Sequence, residues 1–271
     1  MPTIVNRALF AFACACACVV QLAAAPAQAS EPIPLDVQQS WPIAHATHHV
    51  QGLAATDELF YVSSVDRATK SGFVYRIDRR TLKVDKERRL AIGDQCHPGG
   101  MQLAAGKLWV PLAEYRRNST STILALDPAT LETVASFTFD DHIGALAADG
   151  QGTLYAGNWD CLTIYALSEK GKILTKVENP TGVAYQDFEF HAGQLWAAGR
   201  LKQDKKLLPV VDVLDAKTWK LAERYLLRGE TLSGDNDFCR EGFCKLGENL
   251  FVLPEDGPKS AVYRFALPAA K

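Results

Sequence analysis

Three histidines recur at one position in successive segments: His49 in HVQGL, His97 in HPGGM and His142 in HIGAL. Two further segments, AYQDF from Ala184 and CREGF from Cys239, open in the same way without the histidine. Three imidazoles gathered at one point would supply the nitrogen ligands of an open, zinc-type transition-metal site. Calcium is the weaker expectation, because Asp66, Glu114, Asp160 and Asp187 do not fall in a clustered carboxylate motif. Glu114, Asp187 and Glu241 are the candidate catalytic groups, since burial beside Arg and His moves a carboxyl towards the range useful for proton transfer. The sequence has no GxSxG nucleophile elbow, no HExxH and no phosphate-cradling glycine loop.

Two residues into each copy stand Gln51, Gly99, Gly144, Gln186 and Glu241. A second apolar run follows in every copy and ends on polar residues: Asp66 and Arg67, Glu114 and Arg116, Asn158 to Asp160, Arg200, and Glu255 with Asp256. If these two sets of positions open on one face, the ligand-binding candidates are Gln51, Asp66, Arg67, His97, Arg116, His142, Asn158, Trp159, Asp160, Gln186, Arg200 and Arg240. Trp159, between an amide and an acid, is placed to stack on a ligand. The segment Gly229 to Glu241 is the longest irregular stretch and reads as a binding element.

The elements that must position these residues are strands. Apolar runs are short, rich in β-branched and aromatic residues, and punctuated by Gly, Asp and Pro. Copies begin 48, 45, about 42 and 55 residues apart. The turns IDRRTLKV, LDPATLET and LDAKTWKL repeat an Asp whose carboxylate can accept backbone amides two residues on. Four antiparallel strands per 40 to 50 residues is the pattern of a β-propeller blade. The expectation is an all-β, five-bladed propeller with blades at about 45–92, 95–139, 140–178, 183–229 and 230–268. The last copy lacks an outer strand, and residues 34–44 are available to complete it and remove an unpaired edge.

Residues 1–29 read as a signal peptide, with Arg7, an apolar stretch from Leu9 to Leu22, and the cleavage signal Ala27-Gln28-Ala29. A single domain over 30–271, periplasmic or secreted, is expected. No segment is long enough for a membrane span, and a net charge of −2 suggests no nucleic-acid surface. A monomer is expected. Cys96, Cys161, Cys239 and Cys244 remain after the leader, an even number that permits two disulfides in an oxidising compartment; buried free thiols are the alternative.

The motifs VQGL, VSSVDR, HPGGM, LWVPLAEYR, DHIG, GNWD and NPTGVAYQDF resemble a family of exported bacterial propellers of undefined function. VQGL more distantly resembles the TQGL motif of five-bladed glutaminyl cyclotransferases, which implies a site role for Gln51. That family's next blade carries a catalytic glutamate where this chain has Gly99. The leading expectation is a small polar molecule or peptide terminus bound at the channel mouth. Cyclase or hydrolase chemistry there, and a protein-interaction scaffold, are the alternatives.

Overall fold

The computed structural model describes residues 31–269, and the expected signal peptide lies outside them. Five antiparallel sheets form a ring, a five-bladed β-propeller. Blade 1 runs His49–Ala55, Leu59–Asp66, Ser71–Asp78 and Val84–Leu90 from axis to rim. Blade 3 is Ile143–Ala148, Thr153–Asn158, Thr163–Ser168 and Ile173–Glu178; blade 4 is Ala184–His191, Gln194–Gln203, Lys206–Asp215 and Leu221–Arg228.

Blade 2 differs in its innermost strand. Gln95–Pro98 and Gln102–Ala104 both pair with Lys107–Glu114, with Gly99 to Met101 between them. Ser121–Leu126 and Thr133–Phe139 complete that blade.

Blade 5 consists of Gly242–Leu246, Asn249–Leu253 and Ala261–Ala266, and its outer strand is Gln39–Pro42 from the other end of the chain. The expected closure by an N-terminal strand is therefore present. The structure adds a strand to it: Ile33–Asp36 pairs in parallel with Leu221–Arg228, giving blade 4 a fifth strand.

The recurring turns work as their chemistry requires. Asp78 accepts the Thr81 amide at 2.7 Å, Asp127 the amides of Ala129 and Thr130, and Asp215 those of Lys217 and Thr218. Blade 3 has Ser168 there instead, whose hydroxyl accepts from Lys172 at 3.1 Å.

Each of the five core clusters fills one seam between neighbouring blades. Trp196 and Tyr225 of blade 4 pack with Phe243, Val252 and Phe265 of blade 5, and blade 5's Phe251 and Val262 pack with Val50, Leu53 and Tyr75 of blade 1. Burial of such side chains stabilises by about 1.5–3 kcal/mol each, so adhesion between blades holds the ring.

At the axis the blades meet through backbone. A Cβ on Gly52 would stand 2.7 Å from the Gly99 carbonyl, and one on Gly242 would stand 2.8 Å from the Gly52 carbonyl carbon. A Cβ on Gly99 would run into Gly144, and one on Gly100 into the Asp187 carboxylate. Asp187 is wholly buried, and its oxygens accept the amides of Leu53 at 3.1 Å, Phe243 at 2.9 Å and Phe188 at 2.9 Å. Burial pushes this carboxyl well above the usual range, while the amides of Phe243, Leu53, Phe188 and Met101 pull the other way.

The four cysteines among the described residues are free and buried, so no disulfide joins them. Cys161, Cys239 and Cys244 are fully enclosed in packed seams, whereas Cys96 borders a surface cavity. A thiol reagent should therefore modify Cys96 first in the native protein, and all four only after denaturation; equal rates for the four would contradict this packing.

Asp187→Ala should lower stability by at least about 3 kcal/mol, because several buried amides each cost about 1–3 kcal/mol when unmet. Asp187→Asn, which keeps one acceptor oxygen, should lose less. Urea unfolding of the two variants measures the difference.

Candidate functional site at the channel mouth

The innermost strands do not run straight into the ring. Their pairing with the second strand shifts between Val50 and Gly52 in blade 1, Ile143 and Ala145 in blade 3, and Tyr185 and Asp187 in blade 4. The residues thrown out of register are Gln51, Gly144 and Gln186, the sequence positions that stand two residues into the copies. A bulge re-aims a side chain that the ladder would otherwise hold flat. All three residues line one cavity of about 150 Å3, with His97, Tyr115, His142, Asn158, Trp159, Asp160 and Tyr185 completing it.

Aromatic rings frame this cavity. The His97 and His142 centroids lie 5.3 Å apart, His142 meets Trp159 edge-on at 4.5 Å, and His97 meets Tyr115 at 4.5 Å. Trp159 is set by a 3-10 turn, Trp159–Cys161, in which Asp160 and Cys161 take positive φ of 57° and 50°. The Asn158 carboxamide steadies that turn by accepting the Thr163 amide at 2.9 Å and donating to Asp141. Asp160 pairs with Arg117, whose guanidinium lies over Trp159. Arg67 lies over the Tyr115 ring, 5.1 Å from its centroid.

A polar chain runs from the cavity towards blade 5. His97 Nε2 is 2.7 Å from Gln51 Oε1, and Gln51 Nε2 donates to the Val50 carbonyl at 2.7 Å and reaches Glu241 at 3.4 Å. Glu241 is 3.9 Å from His49 Nε2, and His49 Nδ1 is 2.9 Å from Asp256.

Burial pushes Glu241 well above the carboxylate range, with Asp256 adding to the shift and Arg200 and Arg240 opposing it. His97 is held well below the usual imidazole value, first by burial and then by His142, His49 and Arg67. His142 is lowered by burial too. His97 Nδ1 is buried without a hydrogen-bond partner, a deficit of about 1–3 kcal/mol when nothing meets it.

The remaining sequence candidates divide by position. Asp187 lies at the axis, where backbone amides occupy its oxygens, a place suited to holding blades together rather than to meeting substrate. Glu114 forms a bidentate pair with Arg116, which keeps its carboxyl low. Both border a separate cavity of about 510 Å3 with Arg67, Lys70, Asp94 and Cys96. Asp66 closes its own turn by accepting from Ala68 and Thr69.

Arg200 and Arg240 both reach Asp237, and Arg240 also reaches Asp235, so the segment from Gly229 is pinned by its own ion pairs over the buried Phe238 and Cys239. The three imidazoles do not gather as a ligand set. His49 is turned to Asp256, and among the described residues no group of three or more His, Cys, Asp or Glu side chains is arranged to hold a metal ion.

Tyr115, Gly144 and Tyr185 were not among the sequence candidates. Tyr115 had a readable signal, because in a chain alternating sides it should face opposite to its neighbours Glu114 and Arg116. Asp256, the partner of His49, lies 207 residues away in sequence.

The fold and its cavity define a five-bladed β-propeller with a polar and aromatic pocket at the mouth of a plugged axis. The model of a family of unknown function, DUF6454, matches residues 8–190, and the chain belongs to that family. No curated protein sequence matches it.

Among solved structures, the tail fibre of Staphylococcus aureus phage P68 is similar with a TM-score of 0.54 at 12% identity, covering 85% of this chain and 53% of that one. A luciferin-regenerating enzyme is similar with a TM-score of 0.51 at 11% identity, covering 83% and 79%. BamB from Moraxella catarrhalis aligns at 13% identity with a TM-score of 0.45, covering 88% and 99%. Likeness at these identities establishes the fold alone. These relatives include no glutaminyl cyclotransferase, so that resemblance rests on the sequence motif around Gln51. No helix among the described residues is long and apolar enough to cross a membrane.

The depressed His97 value sets the sign of one pH effect. The folded ring resists a proton that the unfolded ring accepts near pH 6.5, so its contribution to stability falls as pH drops below that value. The raised Glu241 acts oppositely, taking its proton in the folded state first. In His97→Gln, stability measured by urea unfolding from pH 7 to 5 should lose the first contribution only. Its curve should diverge upward from wild type by up to about 1.4 kcal/mol per pH unit, and parallel curves would contradict the assignment.

Proposed function

We propose that this protein is an exported propeller that binds a small polar molecule, or the terminus of a peptide, in the pocket at its channel mouth. The observation that carries the reading is convergence: residues from four blades meet at one cavity, the Gln51 and Gln186 side chains re-aimed by register shifts, around a buried imidazole nitrogen that the protein leaves unpaired. The cavity is smaller than the roughly 300–1,000 Å3 of drug-sized sites, which favours a small ligand.

A second reading, acid–base catalysis at the same place, is favoured by Glu241. Its carboxyl is held towards protonation and is joined to the pocket through Gln51 and His97. The scaffold alternative gains less support. Tyr115 is the exposed aromatic among the described residues, and it faces the pocket instead of forming part of a rim patch.

Thermal unfolding of the protein with a panel of small metabolites tests the proposal. A ligand at 100 times its Kd adds about 2.7 kcal/mol, a shift of several degrees. Trp159→Ala should abolish that shift while changing the ligand-free midpoint little. A shift that persists in Trp159→Ala and in His97→Ala would place the ligand elsewhere.

A further inference from the structure

The two histidines in the pocket are not free to choose which nitrogen carries a hydrogen. Gln51 is fixed end for end, because one end of its carboxamide stands 2.7 Å from the Val50 carbonyl and 3.4 Å from Glu241 Oε2. A carbonyl only accepts, so that end must be the NH2. Oε1 is then the atom 2.7 Å from His97 Nε2. An amide oxygen also only accepts, which places the His97 hydrogen on Nε2 and leaves an unshared pair on Nδ1.

His142 is fixed in the opposite sense. Its Nδ1 is 2.9 Å from the Arg116 carbonyl and 3.1 Å from the Ser119 hydroxyl. Nδ1 therefore donates, and the unshared pair is on Nε2. His97 Nδ1 is buried without a partner, and the hydrogen bonds of His142 to Arg116 and Ser119 are both made at Nδ1.

Resting on the reading of this cavity as a ligand site, we infer that it recognises a polyhydroxylated small molecule, a polyol or saccharide, whose hydroxyl hydrogens are accepted by His97 Nδ1 and His142 Nε2. Charge and shape favour this class over the other simple ones. A carboxylate or phosphate would bring acceptors against two acceptors. An ammonium would sit beside Arg67 and Arg117, whose guanidinium groups already lie over Tyr115 and Trp159. A polyol is neutral, brings adjacent donors, and turns a C–H face to an aromatic ring. Its hydroxyl oxygens remain free to accept from the Gln186 carboxamide, which also lines the cavity. Two imidazoles with their outer N–H groups fixed also suit a transition metal, so zinc is the competing occupant in the test.

Long-range proton–nitrogen spectra of the full chain at pH 7.5 test the inference, with His97→Gln and His142→Gln used to assign the rings. His97 should show its hydrogen on Nε2 and His142 on Nδ1. Glycerol, myo-inositol and glucose should include at least one compound that moves the two unprotonated nitrogens together and saturably. Dimethoxyethane, which has oxygens and no hydroxyl, should move neither. Gln51→Leu releases the His97 ring and should weaken polyol binding about fivefold, the worth of one hydrogen bond.

A His97 hydrogen on Nδ1 would overturn the inference. So would saturable perturbation of the Trp159 indole by zinc or by a non-hydroxylated compound from the metabolite panel while no polyol acts, a result that would leave the pocket itself standing as a ligand site. An indole that responds to none of the probes would remove both readings.

Discussion

One buried carboxylate sets the conditions for everything around it. Asp187 stands where the five blades converge, and backbone amides from blades 1, 4 and 5 point at its two oxygens. Glycines at Gly52, Gly99, Gly100 and Gly242 let the backbones approach closely around it. Beside this plug the innermost strands of blades 1, 3 and 4 shift register at Gln51, Gly144 and Gln186. The pocket is built from those displaced residues. The axial plug is the floor on which the site stands: backbone fills the centre of the ring, and the pocket opens at the mouth above it.

Much of the fold was legible because it depends on local chemistry repeated several times. Asp78, Asp127 and Asp215 announce the same turn by the same mechanism, and apolar runs at even intervals leave little choice but blades. Closure by the N-terminal segment followed from counting strands. The parallel strand Ile33–Asp36 on blade 4 was not legible, since four residues with one buried side chain carry too weak a pattern to distinguish a strand from a connector.

The site was legible in part. Histidines and charged residues at repeat starts and strand exits do face one mouth, but type and position in a repeat do not reveal partners. His49 is taken by Asp256, Glu114 by Arg116, and Arg200 and Arg240 by the loop from Gly229, each through a contact fixed only by the tertiary fold. Asp187 stood among the catalytic candidates, and an acid in an apolar strand reads the same whether it meets a substrate or the set of backbone amides that surrounds it here. Gly99 and Gly144 stood in the key register and looked like missing side chains. At Gly99 the absence of a side chain is the function, because a Cβ would run into the Gly144 backbone.

The N-terminal segment gives the ring a temporal property as well as a seam. Residues 33–36 lie on blade 4 and residues 39–42 on blade 5, so a segment made before any blade is paired with strands of the last two. A growing chain holds this segment idle through the synthesis of four blades, with its edge groups unmet, until its partners arrive. Such long-range pairing slows folding and prolongs the exposure of unpaired strand. The charged Asp36, which pairs with Arg228 once the ring closes, keeps that waiting strand from being wholly apolar.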